Sequence, residues 1–493
     1  LELWPDDVIE DMMNDSLSPK RFLEDLSSHH VNVLVFGALD CQGRAFYNST
    51  FAPTVDLKGR DLLAEYIDEA HKIGIKIIAY LNVNFNAHIF KLHPEWVMVN
   101  SEGKPNIRHP SEFFPEPLIP ICSNTPYRNY FLNVIREIVE NYDVDGVFLD
   151  CMFFNCGYCS FCKDAYGAMP PVIENPSDPN YRRFIEWKYN VYRDFAAEIH
   201  KAIKEAKPDI PVMANARPYE VDRSKLTQYV DILIPEMDMH PLLSIGDGIR
   251  RCLAVGNEMP IWMPYFPRPM SPAIWHMIPP SREGVKELIW EIVMNGASPW
   301  LYFQTPRVDL EPYDEVKEVF SRMEAIEEYL VDASQVKGVA LLYSSQTQQW
   351  YGKGYQEFHG RGLPELYEEC YKGFYQLLIE KHALFDVIAD HDLTETELSK
   401  YSGLILPNAA CLSTDQIEAV RKYVEAGGNL LATYETSLYD EFGNIQDDFR
   451  LGDVLGISLD GREKGYTYLK VMAEHPMTCE LKIGTIIPCG DQL

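Results

Sequence analysis

The sequence predicts an α/β protein: a (β/α)8 TIM barrel, then a flavodoxin-like doubly wound α/β domain, then the start of a C-terminal β segment. The chain has 493 residues, too many for one ordinary hydrophobic core. Roughly its first three hundred residues alternate short apolar runs with longer helical patterns, and a second series of this kind begins near Gly338. We therefore predict domains at residues 1–330, 336–450 and 451–493.

Eight apolar, β-branched runs predict the strands of the barrel. Helical patterns separate them, for example at 61–73, 127–142 and 183–206. Eight βα units in roughly three hundred residues is the size of a TIM barrel. The predicted strands are 31–37, 75–83, 118–122, 146–150, 212–216, 232–236, 261–266 and 299–303.

The second domain shows the alternation of strands and helices that is typical of an open, parallel sheet. Strands are predicted at 339–343, 403–407 and 429–434, and helices at 371–381 and 415–426. No glycine-rich loop opens its first helix, so a nucleotide-binding role is not predicted. We expect this domain to be structural or to form a homo-oligomer, a trimer or a dimer. The last residues alternate polar and apolar (TYLKVMA, CELKIGTII), which predicts β-strands.

Composition excludes some classes of partner. The formal net charge of -30 argues against nucleic acid and anionic membranes, because both bind basic surfaces. The sequence contains no stretch of eighteen apolar residues, so no membrane span is predicted.

The eleven cysteines are odd in number and scattered, which fits a reducing compartment. The first residues show no signal peptide, so we expect a cytoplasmic protein; because the chain does not begin with Met, a trimmed leader is the alternative.

Two carboxylates are predicted at the C-terminal ends of the strands, where TIM barrels carry their active sites. Asp150 ends the fourth predicted strand and Glu236 the sixth. Glycoside hydrolysis needs an ionised group at the anomeric carbon and a protonated group that serves the leaving oxygen. The side chain of Asp150 is the shorter of the two, so its position is tightly fixed, and this suits a nucleophile. Glu236 lies beside Pro235 and Met237, and apolar neighbours raise a carboxyl pKa, which suits a general acid. The alternatives are a loop cap for Asp150 and an ordinary ion pair for Glu236.

The run YDVDGVFLD, after ICSNTPYRNYFLNVIREIV, resembles the fourth-strand region of amylase-like and α-fucosidase-like barrel hydrolases. That resemblance implies a nucleophilic Asp150. The α-L-fucosidase and α-galactosidase clans imply an acid/base on the sixth strand, at Glu236. The run GLILPNAACLSTDQIEAVRKYVEAGGNLL is similar to the trimerisation domain of family 42 β-galactosidases. Over residues 30–435 the chain resembles hypothetical glycosyl hydrolases and family 151-type α-L-fucosidases.

These features predict a retaining exo-glycosidase that removes a terminal sugar from an oligosaccharide or glycoside by double displacement, with no cofactor required for catalysis. An α-L-fucoside or α-galactoside substrate is favoured. A β-galactosidase-type glycosidase is the first alternative, suggested by the second domain. A non-catalytic carbohydrate-binding barrel is the second, and the presence of both carboxylates counts against it.

Further polar and aromatic residues stand at or beside strand ends, where they are suited to bind sugar hydroxyls and rings. The predicted substrate-binding residues are Tyr80, Asn82, His88, His109, Asn215, Arg217, His240, Trp262 and Tyr265.

A group of cysteines follows Asp150. Cys156, Cys159 and Cys162 have C-x-x-C-x-x-C spacing, and Cys122 on the third predicted strand supplies a fourth thiol. Four thiolates suit a tetrahedral, structural zinc ion. Family 42 enzymes carry a similar zinc cluster, although with C-x-C-x-x-C spacing. The alternative is a set of buried, reduced thiols.

Overall fold

The structure of the chain is a computed structural model. The chain divides into two compact units: Leu1–Val336 with Val387–Ala389, and Lys337–Asp386 with Asp390–Leu493. The structure describes residues 2–3, 18–108, 110, 116–152, 156–172, 180–215, 227–237, 242–256, 261–264, 281–301, 312–331, 333–351, 366–461, 467–478 and 480–489.

The first unit is built on parallel strands. They are β1 Glu2–Leu3, β2 Val33–Leu39, β3 Lys76–Asn82, β4 Gly146–Asp150, β5 Val212–Asn215, β6 Ile232–Ile234, β7 Glu236–Met237, β8 Ile261–Pro264 and β9 Ser298–Pro299. One sheet has the order β1-β2-β3-β4-β5-β6 and another the order β7-β8-β9. Only Pro235 separates β6 from β7, and proline cannot donate to a strand ladder, so the two segments form one interrupted strand position.

The predicted barrel strand at 118–122 is wrong. β3 pairs directly with β4, and Asn82 stands opposite Asp150. Residues of the 118–122 run instead form isolated antiparallel bridges, among them Arg108 with Leu118. An antiparallel ribbon supplies backbone hydrogen bonds to a short apolar run as well as a parallel sheet does. The apolar pattern alone therefore does not distinguish a barrel strand from such a ribbon. The strand position that the prediction lacked is β1, which pairs with β2.

A buried layer inside this sheet shows that it curves. The layer takes two residues from β3, one from each of β2, β4, β5 and β6, and adds Trp300, which follows β9: Val35, Ile78, Tyr80, Phe148, Met213, Ile234 and Trp300. The rings of Phe148 and Trp300 lie 4.8 Å apart, so the end of the last strand packs against the fourth. The sheet therefore wraps around a filled interior, as in a TIM barrel.

Amphipathic helices cover the outside of the sheet. Asp61 caps the second helix by accepting a hydrogen bond from the backbone N–H of Ala64, and Ser281 caps the eighth through Gly284. The helices of the first unit are α1 Pro19–Ser28, α2 Leu62–Lys72, α3 Ala87–Leu92, α4 Tyr127–Asn141, α5 Ser160–Tyr166, α6 Tyr181–Ala206, α7 Leu242–Ala254, α8 Arg282–Met294, α9 Pro312–Ala325 and α10 Glu327–Leu330. The described helices include none that is long and apolar enough to cross a membrane.

The second unit contains a four-stranded sheet with the order β11-β10-β12-β13. β10 pairs with β12 and β12 pairs with β13, both in parallel, so crossover helices must connect these strands. β11 was not predicted. The elements are β10 Val339–Tyr343, α11 Ser345–Trp350, α12 Leu366–Glu380, β11 Phe385–Ala389, α13 Glu395–Leu398, β12 Gly403–Leu406, α14 Thr414–Glu425, β13 Asn429–Ala432 and α15 Gly452–Leu455.

The end of the described chain forms an antiparallel pair of strands, β14 Thr467–Lys470 and β15 Ile486–Cys489. Tyr468 pairs with Pro488 and Leu469 with Ile487. The first alternating run thus begins as a strand, as predicted, whereas residues 480–485 of the second run lie in turns and the strand begins only at Ile486.

Candidate active site

Asp150 is the last residue of β4, at the end of the strand where TIM barrels carry their active sites. All of β4 is buried, and Asp150 itself is only 9% exposed. A carboxylate in such a place needs hydrogen bonds or a counter-ion. Among the described residues, no lysine or arginine forms an ion pair with Asp150, and its contacts are hydrogen bonds from neutral donors.

Four side chains donate to the Asp150 carboxylate. The Tyr80 hydroxyl, the Asn82 amide at 3.4 Å and the Cys151 thiol at 3.2 Å donate to Oδ2. The Asn215 amide donates to Oδ1 at 2.9 Å. Tyr80 and Asn82 are two residues apart on β3 and so project from the same face of the strand, while Asn215 ends β5 on the other side of β4. Three neighbouring strands thus build one polar cluster.

Two of these donors have fixed orientations. Asn82 accepts a hydrogen bond from the backbone N–H of Phe85 at 3.0 Å, so its oxygen is occupied and its amide N–H faces Asp150. The Tyr80 ring is 1% exposed and packs edge-on against Phe148, with centroids 5.5 Å apart. The carboxylate is therefore held by side chains that have little freedom to turn away.

Two thiols lie near Asp150. Cys151 has a positive φ of 52°, an uncommon conformation for a residue other than glycine. Burial, together with the charges of Asp40 and Asp150, raises the pKa of Cys41 to about 12. The Cys41 thiol is therefore neutral at physiological pH. Sequence reasoning missed both residues as parts of the site, although Cys151 directly follows the predicted nucleophile.

The other predicted site residues have different placements. His88 lies in the first turn of α3, and burial lowers its pKa; it is not among the described residues that contact Asp150. Glu236 stands on β7 opposite Met263, and Trp262 stands on β8 opposite Pro299; both side chains lie outside the described part of the chain. The remaining four predicted residues also lie outside the described residues: His109, Arg217, His240 and Tyr265.

Arg108 is a third residue that the sequence analysis missed. Its guanidinium lies over the Phe85 ring, 4.7 Å from the centroid, and burial lowers its pKa. The backbone bridge between Arg108 and Leu118 brings it beside the segment that follows β3. The position of Arg108 could not be predicted from hydrophobic periodicity, because an antiparallel ribbon made of isolated bridges has no characteristic sequence pattern.

The structure brings together three of the four predicted zinc ligands. The sulfur atoms of Cys122, Cys159 and Cys162 all lie within 4.8 Å of one another, and Cys122 Sγ is 3.4 Å from Cys162 Sγ and 3.5 Å from Cys159 Sγ. Cys156 is buried in the same cluster, but its sulfur is not one of these three.

The donor set fits a structural zinc ion. Sulfur ligands of a tetrahedral zinc lie about 3.8 Å apart, given Zn–S bonds of about 2.3 Å. Hydrogen bonds with the thiols of Cys122 and Cys162 lower the pKa of Cys159, and a lower pKa favours the thiolate, the form that binds metals. Cys122, Cys159 and Cys162 would hold the ion, and Cys156, which is buried in the same cluster, is the predicted fourth ligand.

Comparisons with known proteins agree with this fold. Residues 18–151 match the family described as hypothetical glycosyl hydrolase 6, and residues 337–467 match the β-galactosidase trimerisation domain. The resemblance to glycoside hydrolases is confirmed.

Curated relatives of this glycosyl hydrolase-like chain are distant. Glycosyl hydrolase DigH of Escherichia coli K12 is 23% identical over 211 residues, 36% of this chain and 42% of the relative. Glycosyl hydrolase YngK of Bacillus subtilis is 22% identical over 219 residues, 38% of this chain and 37% of the relative. The match thus spans less than half the length of these relatives.

Solved structures show similar folds. α-L-Fucosidase isoenzyme 2 from Paenibacillus thiaminolyticus has a TM-score of 0.68 and 23% identity, covering 92% of this chain and 64% of that one. The β-galactosidase from Bacillus circulans sp. alkalophilus has a TM-score of 0.76 and 16% identity, covering 100% of this chain and 79% of that one. At these identities the likeness shows the fold: a TIM-barrel-like unit of parallel strands followed by a second α/β unit.

Proposed function

We propose that the chain is a retaining exo-glycosidase in which Asp150 is the nucleophile and Glu236 the acid/base. The observation that carries this proposal is the setting of Asp150: a buried carboxylate at the C-terminal end of a barrel strand, held by four neutral donors. Neutral donors fix a carboxylate without pairing it to a cation, which leaves its charge for an oxocarbenium-like transition state.

The reaction follows from these roles. Asp150 attacks the anomeric carbon while Glu236 gives a proton to the leaving oxygen, and a glycosyl ester forms on Asp150. Water then attacks the same carbon, gives its proton to Glu236 and releases Asp150 as a carboxylate. Glu236 lies on β7, two strand positions beyond β4 in the order of the barrel, so both residues belong to the same end of the unit.

The favoured substrate is a terminal α-L-fucoside or α-galactoside. The strand positions of the two carboxylates support it, as does the likeness to a fucosidase structure. A β-galactoside is the second candidate, because several of the similar structures are β-galactosidases. The likeness to β-galactosidases includes the second unit. The fold of that unit bears on how copies of the chain assemble more than on which glycoside the barrel cleaves.

A panel of 4-nitrophenyl glycosides tests the proposal and separates the candidates. We expect turnover of the α-L-fucoside or the α-galactoside, and loss of that turnover in the Asp150→Ala variant. Asp209→Ala is the matched control, since Asp209 is an exposed carboxylate in a turn. A non-catalytic carbohydrate-binding barrel would cleave no member of the panel.

Two further proposals concern metal and assembly. A zinc ion held by the cysteine cluster would fix the segment after β4, beside Asp150, and would take no part in the reaction. The second unit, flavodoxin-like in its strand order and matching a trimerisation domain, would join copies of the chain into a trimer or a dimer.

A further inference from the structure

The four donors on Asp150 are divided unequally between its two oxygens. Tyr80, Asn82 and Cys151 all donate to Oδ2, whereas Asn215 alone donates to Oδ1. Within the described residues, no other donor reaches either oxygen. A carboxylate oxygen offers about two lone pairs to hydrogen-bond donors. Oδ2 is therefore fully occupied, and Oδ1 keeps a lone pair that no side chain of the described residues uses.

This asymmetry has a chemical consequence, because attack on an anomeric carbon needs a free lone pair. We propose that Oδ1, the oxygen on the Asn215 side, is the atom that bonds to the sugar, and that Tyr80, Asn82 and Cys151 are positioning residues that hold Oδ2. The inference rests on the proposed role of Asp150 as nucleophile and adds to it the identity of the attacking atom.

The rigidity of the Oδ2 donors supports the assignment. The buried Tyr80 ring packs against Phe148, and the Asn82 amide is oriented by the backbone of Phe85. Cys151 adopts a positive φ, and an unfavourable backbone conformation at a functional site is kept only where its surroundings enforce it. To free a lone pair on Oδ2 for attack, at least one of these donors would have to move, whereas Oδ1 needs no rearrangement.

The two chemical steps use the two oxygens differently. In the first, an Oδ1 lone pair forms the bond to the anomeric carbon, and the glycosidic C–O bond breaks toward the leaving oxygen, which takes a proton from Glu236. Oδ2 becomes the carbonyl oxygen of the ester. In the second, water bonds to the anomeric carbon and gives its proton to Glu236. The Oδ1–carbon electrons return to Asp150, and the negative charge spreads onto Oδ2, where Tyr80 donates.

Loss of the Tyr80 hydroxyl should therefore slow the second step more than the first. In Tyr80→Phe, with a 2,4-dinitrophenyl glycoside of the sugar found in the panel, we expect kcat to fall about 10- to 100-fold, the range of a hydrogen bond to a charged group. KM should fall with kcat, and a burst of dinitrophenolate should precede the steady state. Tyr66→Phe is the matched control, because Tyr66 is fully buried and its hydroxyl has no hydrogen-bond partner among the described residues. Equal slowing of both steps, or no change, would overturn the role of Tyr80.

A trapped intermediate identifies the attacking atom directly. The full chain is treated with 2-deoxy-2-fluoro-α-L-fucosyl fluoride and, separately, with the corresponding galactosyl fluoride, and the labelled protein is crystallised. We expect the ester on the Asp150 oxygen facing Asn215, with the carbonyl oxygen within hydrogen-bond distance of Tyr80. An ester on the oxygen facing Tyr80 would overturn this inference and leave the proposed function intact. Labelling of another residue, or of none, would overturn the proposed function instead.

Discussion

Glu137 on α4 provides a quantitative test of how the first unit is held together. It is 7% exposed and accepts four hydrogen bonds: from Tyr47 at 3.0 Å, from Ser49 at 2.6 Å, and from both the backbone N–H and the hydroxyl of Thr50 at 2.6 Å. Each hydrogen bond to a charged group is worth about 1 kcal/mol more than one between neutral groups. Because neighbouring bonds are not additive, we expect Glu137→Gln to lower the free energy of unfolding by about 2–4 kcal/mol.

Urea titration of the full chain at pH 7 measures this loss. Glu140→Gln is the control, since Glu140 is exposed on the same helix and should change the midpoint little. Burial alone would raise the pKa of Glu137, but hydrogen bonds from Ser49, Thr50 and Tyr47 outweigh it and lower the pKa. The stabilisation should therefore be complete above the unfolded-state pKa of about 4.3 and disappear as the pH falls through the lower folded-state value. If the two variants unfold alike at pH 7, the reasoning is refuted.

Three other predictions follow from the site and the assembly. The carboxyl groups of Asp150 and Glu236 should lie about 5–5.5 Å apart in a crystal structure, and about 6.5–9.5 Å would indicate an inverting enzyme. Elemental analysis should find one zinc ion per chain, lost in Cys159→Ser and kept in Cys370→Ser; a metal-free wild type would refute the site. Light scattering should give the mass of a trimer or a dimer, and a monomer at micromolar concentration would contradict the assembly.

The sequence predicts strand β4 and the position of Asp150 well, because an apolar run that ends in a carboxylate needs only local information. The role of Asp150 as nucleophile stays a prediction. β4 and Asp150 lie where the pattern placed them. Strand β1 could not be predicted in this way, because a run of two residues is too short to show a hydrophobic periodicity. The run at 118–122 was misplaced because apolar character is shared by barrel strands and antiparallel ribbons.

The contacts around Asp150 required knowledge of which strands are neighbours. Tyr80 and Asn82 were predicted as substrate-binding residues, since their spacing puts them on one face of a strand. Their hydrogen bonds to Asp150 depend on the pairing of β3 with β4, and the sequence analysis had placed another strand between the two. Register and neighbour order arise from the whole sheet, so no local pattern could supply them.

The most direct test of the central claim is azide rescue of the two carboxylate variants on a 2,4-dinitrophenyl glycoside. Asp150→Ala should lose turnover, and azide should restore it with a product of inverted configuration. Glu236→Ala should still form the glycosyl ester, because this leaving group needs little protonation, and azide should then give a product of retained configuration. On poor leaving groups its loss should be about 10²–10⁴-fold. Near-normal turnover by Asp150→Ala without azide, in the presence of an active wild type, would contradict the account.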